Sequence, residues 1–132
     1  MLRETDSIRV RHMLDSAKEA VEFAAERKRK DLNTDRQLTH SLVHCIEIIG
    51  EAASKVSPEC RSSHPEIPWS SIVGMRNRLI HVYFDINLSI LWRTVKEELP
   101  LLITSLEKII EGRSRATEDK SNNENAQSAG DG

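Results

Sequence analysis

Several things are missing from this chain, and each absence narrows what it does. There is no apolar run of the roughly 18 residues that reads as a membrane span. The mean hydropathy is -0.49, and no transmembrane segment is expected. The N-terminal Met-Leu-Arg-Glu-Thr-Asp is charged from its third residue and lacks the apolar core of a secretory leader, so a cytoplasmic protein without a signal peptide is expected. Cysteine is scarce, with Cys45 inside an apolar periodic run and Cys60 in a polar loop. Two such residues fit reduced thiols better than a disulfide framework. Neither sign of charge dominates: 19 Lys and Arg against 21 Asp and Glu leave a net charge of -2. Any contact with nucleic acid must therefore come from a local patch. Strand-like alternation and internal repeats are lacking too. What remains is helical periodicity in 132 residues, enough for one domain with a core.

The first helix is predicted from about Asp6, which with Ser7 offers a cap, to Arg29. Val10, Leu14, Ala17, Val21 and Ala24 recur at helical spacings. It closes on Arg27-Lys28-Arg29-Lys30, cations where the helix dipole favours them and also a candidate phosphate patch. Asn33-Thr34-Asp35-Arg36-Gln37 opens the second helix, with Thr34 and Gln37 at capping-box spacing. Leu38, Leu42, Cys45, Ile49, Ala52 and Val56 form its apolar stripe, and His40, His44, Glu47 and Glu51 lie opposite. Those four are metal-ligand types, but a solvated polar face explains them more simply, and no metal or cofactor is assigned. Ser57-Pro58 stops this helix, and Glu59 to Pro68 reads as a loop.

Pro68 and Trp69 launch a third helix, with Trp69, Ile72, Met75, Leu79 and Ile80 on its apolar side. A fourth follows a cap at Asp85 or Asn87. Its stripe runs from Leu88, Leu91 and Val95 through Leu99, Leu102 and Leu106 to Ile110. Pro100 should kink or divide it, and Gly112 is a reasonable stop. Residues 113–132, rich in Ser, Asn, Ala, Gly and charge, are expected to be a disordered tail. The fold expected is one all-α domain over residues 1–112, a bundle of four or five helices.

Chemistry gathers in one stretch, Met75-Arg76-Asn77-Arg78-Leu79-Ile80-His81-Val82-Tyr83-Phe84-Asp85. If the third helix continues through Tyr83, Arg76 falls among its apolar residues. A guanidinium there needs either a partner on a neighbouring helix, such as Glu51, or a face that opens to a site. Arg76 and His81 would sit about 140° apart on a straight helix and could not share one phosphate. They converge only if the helix ends or bends near His81, or if a second chain completes the site. Histidine can take a proton from a ribose 2′-hydroxyl or give one to a leaving 5′-oxygen. Arginine can stabilise the charge of a pentacoordinate phosphorus, and Asn77 can orient the phosphate. These are the parts of a metal-independent ribonuclease, and equally of any phosphate pocket.

Arg76-Asn77-Arg78-Leu79-Ile80-His81-Val82-Tyr83 resembles the R-x4-H-x-Y motif of HepT-like toxins, a branch of the HEPN superfamily. Ile48-Ile49-Gly50-Glu51-Ala52-Ala53, Ile67-Pro68-Trp69, Gly74-Met75-Arg76-Asn77 and Leu91-Trp92-Arg93-Thr94-Val95 before Leu99-Pro100 are similar to further landmarks of that family, in its order. The resemblance covers residues 3 to 111. It implies an all-α homodimer whose two R-x4-H motifs line a cleft and cleave RNA without a metal, leaving a 2′,3′-cyclic phosphate. His81 would be the acid–base residue, Arg76 the charge stabiliser and Asn77 their polar support. Arg78 and the run Arg27, Lys28, Arg29, Lys30 would be further RNA contacts. The resemblance also implies a partner, an MntA-like nucleotidyltransferase antitoxin that transfers AMP to Tyr83. A reading from another class is a non-catalytic helical partner of such a nucleotidyltransferase.

Overall fold

Three apolar stripes, spaced for helices, fold against one another to make the core. The computed structural model describes residues 2–82 and 85–112, with His81 and Val82 described through the backbone. Helix α1 (Glu4–Ala24) buries Val10, Met13, Leu14, Ala17, Ala20 and Ala24. Helix α3 (Arg36–Ser54) buries Leu38, Leu42, Cys45, Ile46, Ile49 and Ala53 against it. A third helical stretch starts as α7 (Leu88–Arg93), widens into a π-helical turn over Thr94–Glu98, and continues as α8 over 99–112. It contributes Leu91, Val95, Leu99, Leu102, Leu106 and Ile109. The expected all-α architecture holds.

The contacts between ends fix the directions. Asp6, at the start of α1, binds Ser57 beyond the end of α3, so these two helices run antiparallel. Lys96 donates to the Ala24 carbonyl at 2.9 Å and Lys18 pairs with Glu107 at 3.0 Å, so the last helix also runs antiparallel to α1.

Several boundaries differ from the sequence expectation. Helix α1 ends at Ala24, before the cationic run. Ala25 turns extended and Glu26 takes a positive φ of 61°, which no helix continues through. The Ala24 carbonyl at the end of α1 accepts from the Lys96 ammonium, 72 residues away in sequence, and from the Arg27 backbone N–H, not from a local cationic side chain. A single-turn helix α2 (Asp31–Thr34) follows, and α3 is capped by Asp35, whose carboxylate accepts from the Leu38 N–H at 3.0 Å, and not by Thr34. Asp6 does not cap α1; it is 3% exposed and serves Ser57 instead.

The stretch expected to be a loop after Ser57 holds a short helix, α4 (Pro58–Ser63). Ser57 caps it and Pro58 occupies its first turn, where a missing N–H costs nothing. Cys60 is therefore buried rather than on a polar loop. It and Cys45 are free thiols, and burial pushes both up, Cys45 to about 11.

The predicted third helix breaks at Gly74 into α5 (Trp69–Val73) and α6 (Met75–Leu79). The chain then enters a small antiparallel ribbon, β1 (Ile80–Val82) with β2 (Asp85–Ile86), where no strand had been expected. Close packing holds this region to α3. A Cβ on Gly50 would stand 3.4 Å from the Ile72 carbonyl oxygen, so the α5 backbone lies directly on α3. Pro100 does not divide the last helix. Its missing N–H is accommodated one turn earlier, where the Leu99 N–H reaches back five residues to the Thr94 carbonyl. Among the described residues no helix is long and apolar enough to cross a membrane.

Candidate active site

Helix α5 ends and α6 begins at Gly74, and α6 buries Met75 and Leu79 while leaving Arg76, Asn77 and Arg78 exposed. Arg76 is about half exposed, with a side-chain exposure of 54%, and its Nε donates to Glu47 Oε1 at 3.2 Å. The partner on α3 is thus Glu47, not Glu51, which pairs with Lys55. Using Nε for Glu47 leaves both terminal nitrogens of Arg76 without a partner among the described residues. That edge is the one a phosphate takes bidentately. Asn77 is exposed beside it.

Helix α6 ends at Leu79, and Ile80 is already extended, with φ -99° and ψ 103°. The Asn87 N–H ties the Leu79 carbonyl at 2.7 Å, and Ile80 registers with Ile86. His81 therefore follows a helix end and sits in β1, so the 140° offset of an ideal helix does not apply to it. Tyr83 lies outside the described residues, as does the expected tail.

Beside Arg76 lies an open groove of about 540 Å³, walled by the first turns of α3, by α6, by the ribbon and by the start of α7. Its polar lining is Arg36, Thr39, His40, Glu47, Arg76 and Asp85. Leu32, Val43, Ile80, Ile86 and Leu88 supply apolar surface. Arg36 and His40 were not read as partners of the motif. Their i, i+4 spacing at the start of α3 was visible, but nothing in sequence said that this turn faces residues 76 to 88.

The remaining candidates are dispersed. Arg78 donates to the Ser71 carbonyl at 3.2 Å and approaches Glu98 at 3.8 Å, outside the groove lining. Arg27 is held by Asp35 at 2.7 Å and Asp31 at 3.4 Å. Arg29 reaches Asn33 and Ser89, both at 3.1 Å. Lys28 gives its backbone N–H to Asp31. No side-chain hydrogen bond or ion pair is made by Lys28 or Lys30 among the described residues, so two of the four cations, Arg27 and Arg29, act as struts between α2, α3 and α7. The polar face of α3 is split as well. His40 and Glu47 line the groove, while Glu51 turns to Lys55, and among the described residues no three His, Cys, Asp or Glu side chains gather as metal ligands.

The family described as "Ribonuclease HepT-like" matches residues 13–109, a span that includes every wall of this groove. The chain is 37% identical over 100 residues to "Probable ribonuclease HepT" of Thermococcus cleftensis, covering 73% of this chain and 91% of that one. It is 37% identical over 105 residues to "Putative RNase TTE0752" of Caldanaerobacter subterraneus subsp. tengcongensis, covering 76% and 94%. No solved structure matches. With the motif placed on a helix end beside a groove and the match running from α1 to α8, the chain belongs to the HepT-like ribonuclease family.

Proposed function

We propose that this chain is a ribonuclease, a metal-independent endonuclease that acts as the toxin of a toxin–antitoxin pair. The observation that carries the reading is Arg76, half exposed at a groove with its terminal nitrogens unpaired among the described residues, one short turn before the helix end that precedes His81. In the proposed reaction the ribose 2′-oxygen attacks the adjacent phosphorus, the bond from phosphorus to the 5′-oxygen breaks, and a 2′,3′-cyclic phosphate and a 5′-hydroxyl result. Histidine chemistry at His81 serves the proton transfers at these two oxygens, and Arg76 offsets the charge on the pentacoordinate phosphorus. Asn77 supports the phosphate. A second copy of the chain brings its own motif to the same cleft, making the site composite.

Tyr83 is the regulatory handle in this proposal. Its phenol oxygen would attack the α-phosphorus of ATP in the antitoxin's site, releasing pyrophosphate and leaving AMP on the tyrosine. The added bulk and negative charge would then occupy the place of the RNA phosphate. Tyr83 is the single tyrosine of the chain, so a tyrosine adduct has one location.

The test is cleavage of a defined RNA with EDTA present. His81→Ala and Arg76→Ala are each expected to lower the rate by roughly 100-fold or more, with helix content and sedimentation unchanged. Unimpaired cleavage by both variants would overturn the proposal. Intact-mass measurement after incubation with the proposed MntA-like nucleotidyltransferase and ATP should show an added AMP that Tyr83→Phe removes. Tight complex formation with neither toxicity nor cleavage would favour a non-catalytic partner instead.

A further inference from the structure

The groove has a second wall that the motif does not account for. Arg36 and His40 lie one turn apart on the first turns of α3, both exposed and both lining the cavity that contains Arg76. Among the described residues neither has a hydrogen-bonding or ionic partner. Other arginines near the groove are already engaged: Arg27 with two aspartates, Arg29 with Asn33 and Ser89, Arg78 with Ser71 and Glu98. On α3, Glu47 is taken up by Arg76 and Arg36 has no carboxylate partner among the described residues; Asp85, on the ribbon, is the other carboxylate of the lining. Leu32, Val43 and Leu88 also line the groove and give it an apolar surface that suits the face of a base or sugar.

We infer that Arg36 and His40 form a phosphate subsite for the nucleotide next to the one that is cut. The two residues are spaced about one helical turn, with Cβ atoms roughly 5–6 Å apart, and so can flank one phosphate. Arg36 offers a planar fork of donors, and His40 offers a ring N–H in either protonation state. Arg76 grips the scissile phosphate across the groove, and the apolar surface carries the nucleotide between them. The subsite rests on the ribonuclease reading, and it defines the substrate as a single strand at least one nucleotide longer than the bond being broken. A duplex would keep its bases paired and away from that surface.

The test uses Arg36→Gln and His40→Gln in the full chain. For an octaribonucleotide, Arg36→Gln is expected to raise KM about tenfold with little change in kcat, the loss of one charge-assisted hydrogen bond. For a dinucleoside monophosphate, which has only the scissile phosphate, KM should move by less than about twofold. Binding of the uncleavable 2′-deoxy octamer should weaken, and its salt slope should fall by roughly 0.7 for each contact removed. Arg36→Lys should recover part of the loss, and melting temperatures should match the parent. An equal loss on both substrates would make the two residues structural or catalytic and overturn the subsite. Unchanged KM and salt slope would overturn it too, while cleavage by the parent protein keeps the ribonuclease reading standing. If the parent cleaves nothing, that reading fails, and the deoxy-octamer binding decides the subsite by itself.

Discussion

Asp6 is a carboxylate with 3% exposure, and it stays buried because both of its oxygens are used. It accepts the Ser57 N–H at 2.8 Å and the Ser57 hydroxyl at 2.6 Å, while the Ser57 hydroxyl oxygen accepts from the Cys60 N–H at 3.2 Å. The chain of bonds ties the start of α1 to the cap of α4 across 51 residues. Asp6→Ala strands the partly buried Ser57 N–H and should cost about 1–3 kcal/mol in denaturant unfolding. A change under roughly 0.5 kcal/mol would show that water replaces the carboxylate freely. In sequence the same residue looked like a helix cap, because Asp near a helix start usually is one. Arg76 is the parallel case at the candidate site. Its type and motif were legible, but its exposure and its partner were not, since the projection ran one helix through Gly74 to Tyr83 and the structure ends α5 at Val73 and α6 at Leu79.

At the scale of elements, the junction between α1 and α3 is electrostatic. The Leu38 N–H and then the Arg27 guanidinium hold the Asp35 carboxyl below its ordinary value of 3.8. The Lys28 N–H and then Arg27 do the same for Asp31. A folded-state value below the unfolded one means stability that is present above about pH 3.8 and lost as pH falls through the depressed values. Asn also caps helices well, so Asp35→Asn removes the charge and keeps the cap. Its melting temperature should lie below that of the parent at pH 7, with the gap closing below pH 3.8. A gap that stays constant to roughly pH 2.5 would show that the charge contributes nothing there. The cationic run at residues 27–30 thus serves the fold at least as much as it could serve RNA, which a reading of charge alone could not separate.

For the whole molecule, the three long apolar stripes close on each other by residue 109. Leu106 and Ile109 are the last buried side chains among the described residues. A chain ended after residue 112 should therefore melt within about 2 °C of the full protein and keep its helix content. A fall of more than about 5 °C would place part of the core in residues 113–132. The core also explains why the site is shaped as it is. Gly50 lets α5 lie on α3, α5 sets the start of α6, and the ribbon brings the chain back to α7. The groove is what remains between α3, α6, the ribbon and α7, so repacking at α3 would reshape it without touching Arg76.

The sequence by itself determined the all-α class, the three core stripes and the identity of the motif residues, because helical periodicity and a local motif are written in neighbouring positions. It also determined that Arg76 and His81 need a helix end or bend near His81, or a second chain, to act together, and the structure puts a helix end at Leu79. Only the tertiary structure decided that Gly74 is a break, that Glu47 is the partner of Arg76, and that Arg36 and His40 form the facing wall. Those facts depend on which turns of α3 meet residues 74 to 88. That is a relation between distant segments, set by backbone approach and packing, and no single window of the chain contains it.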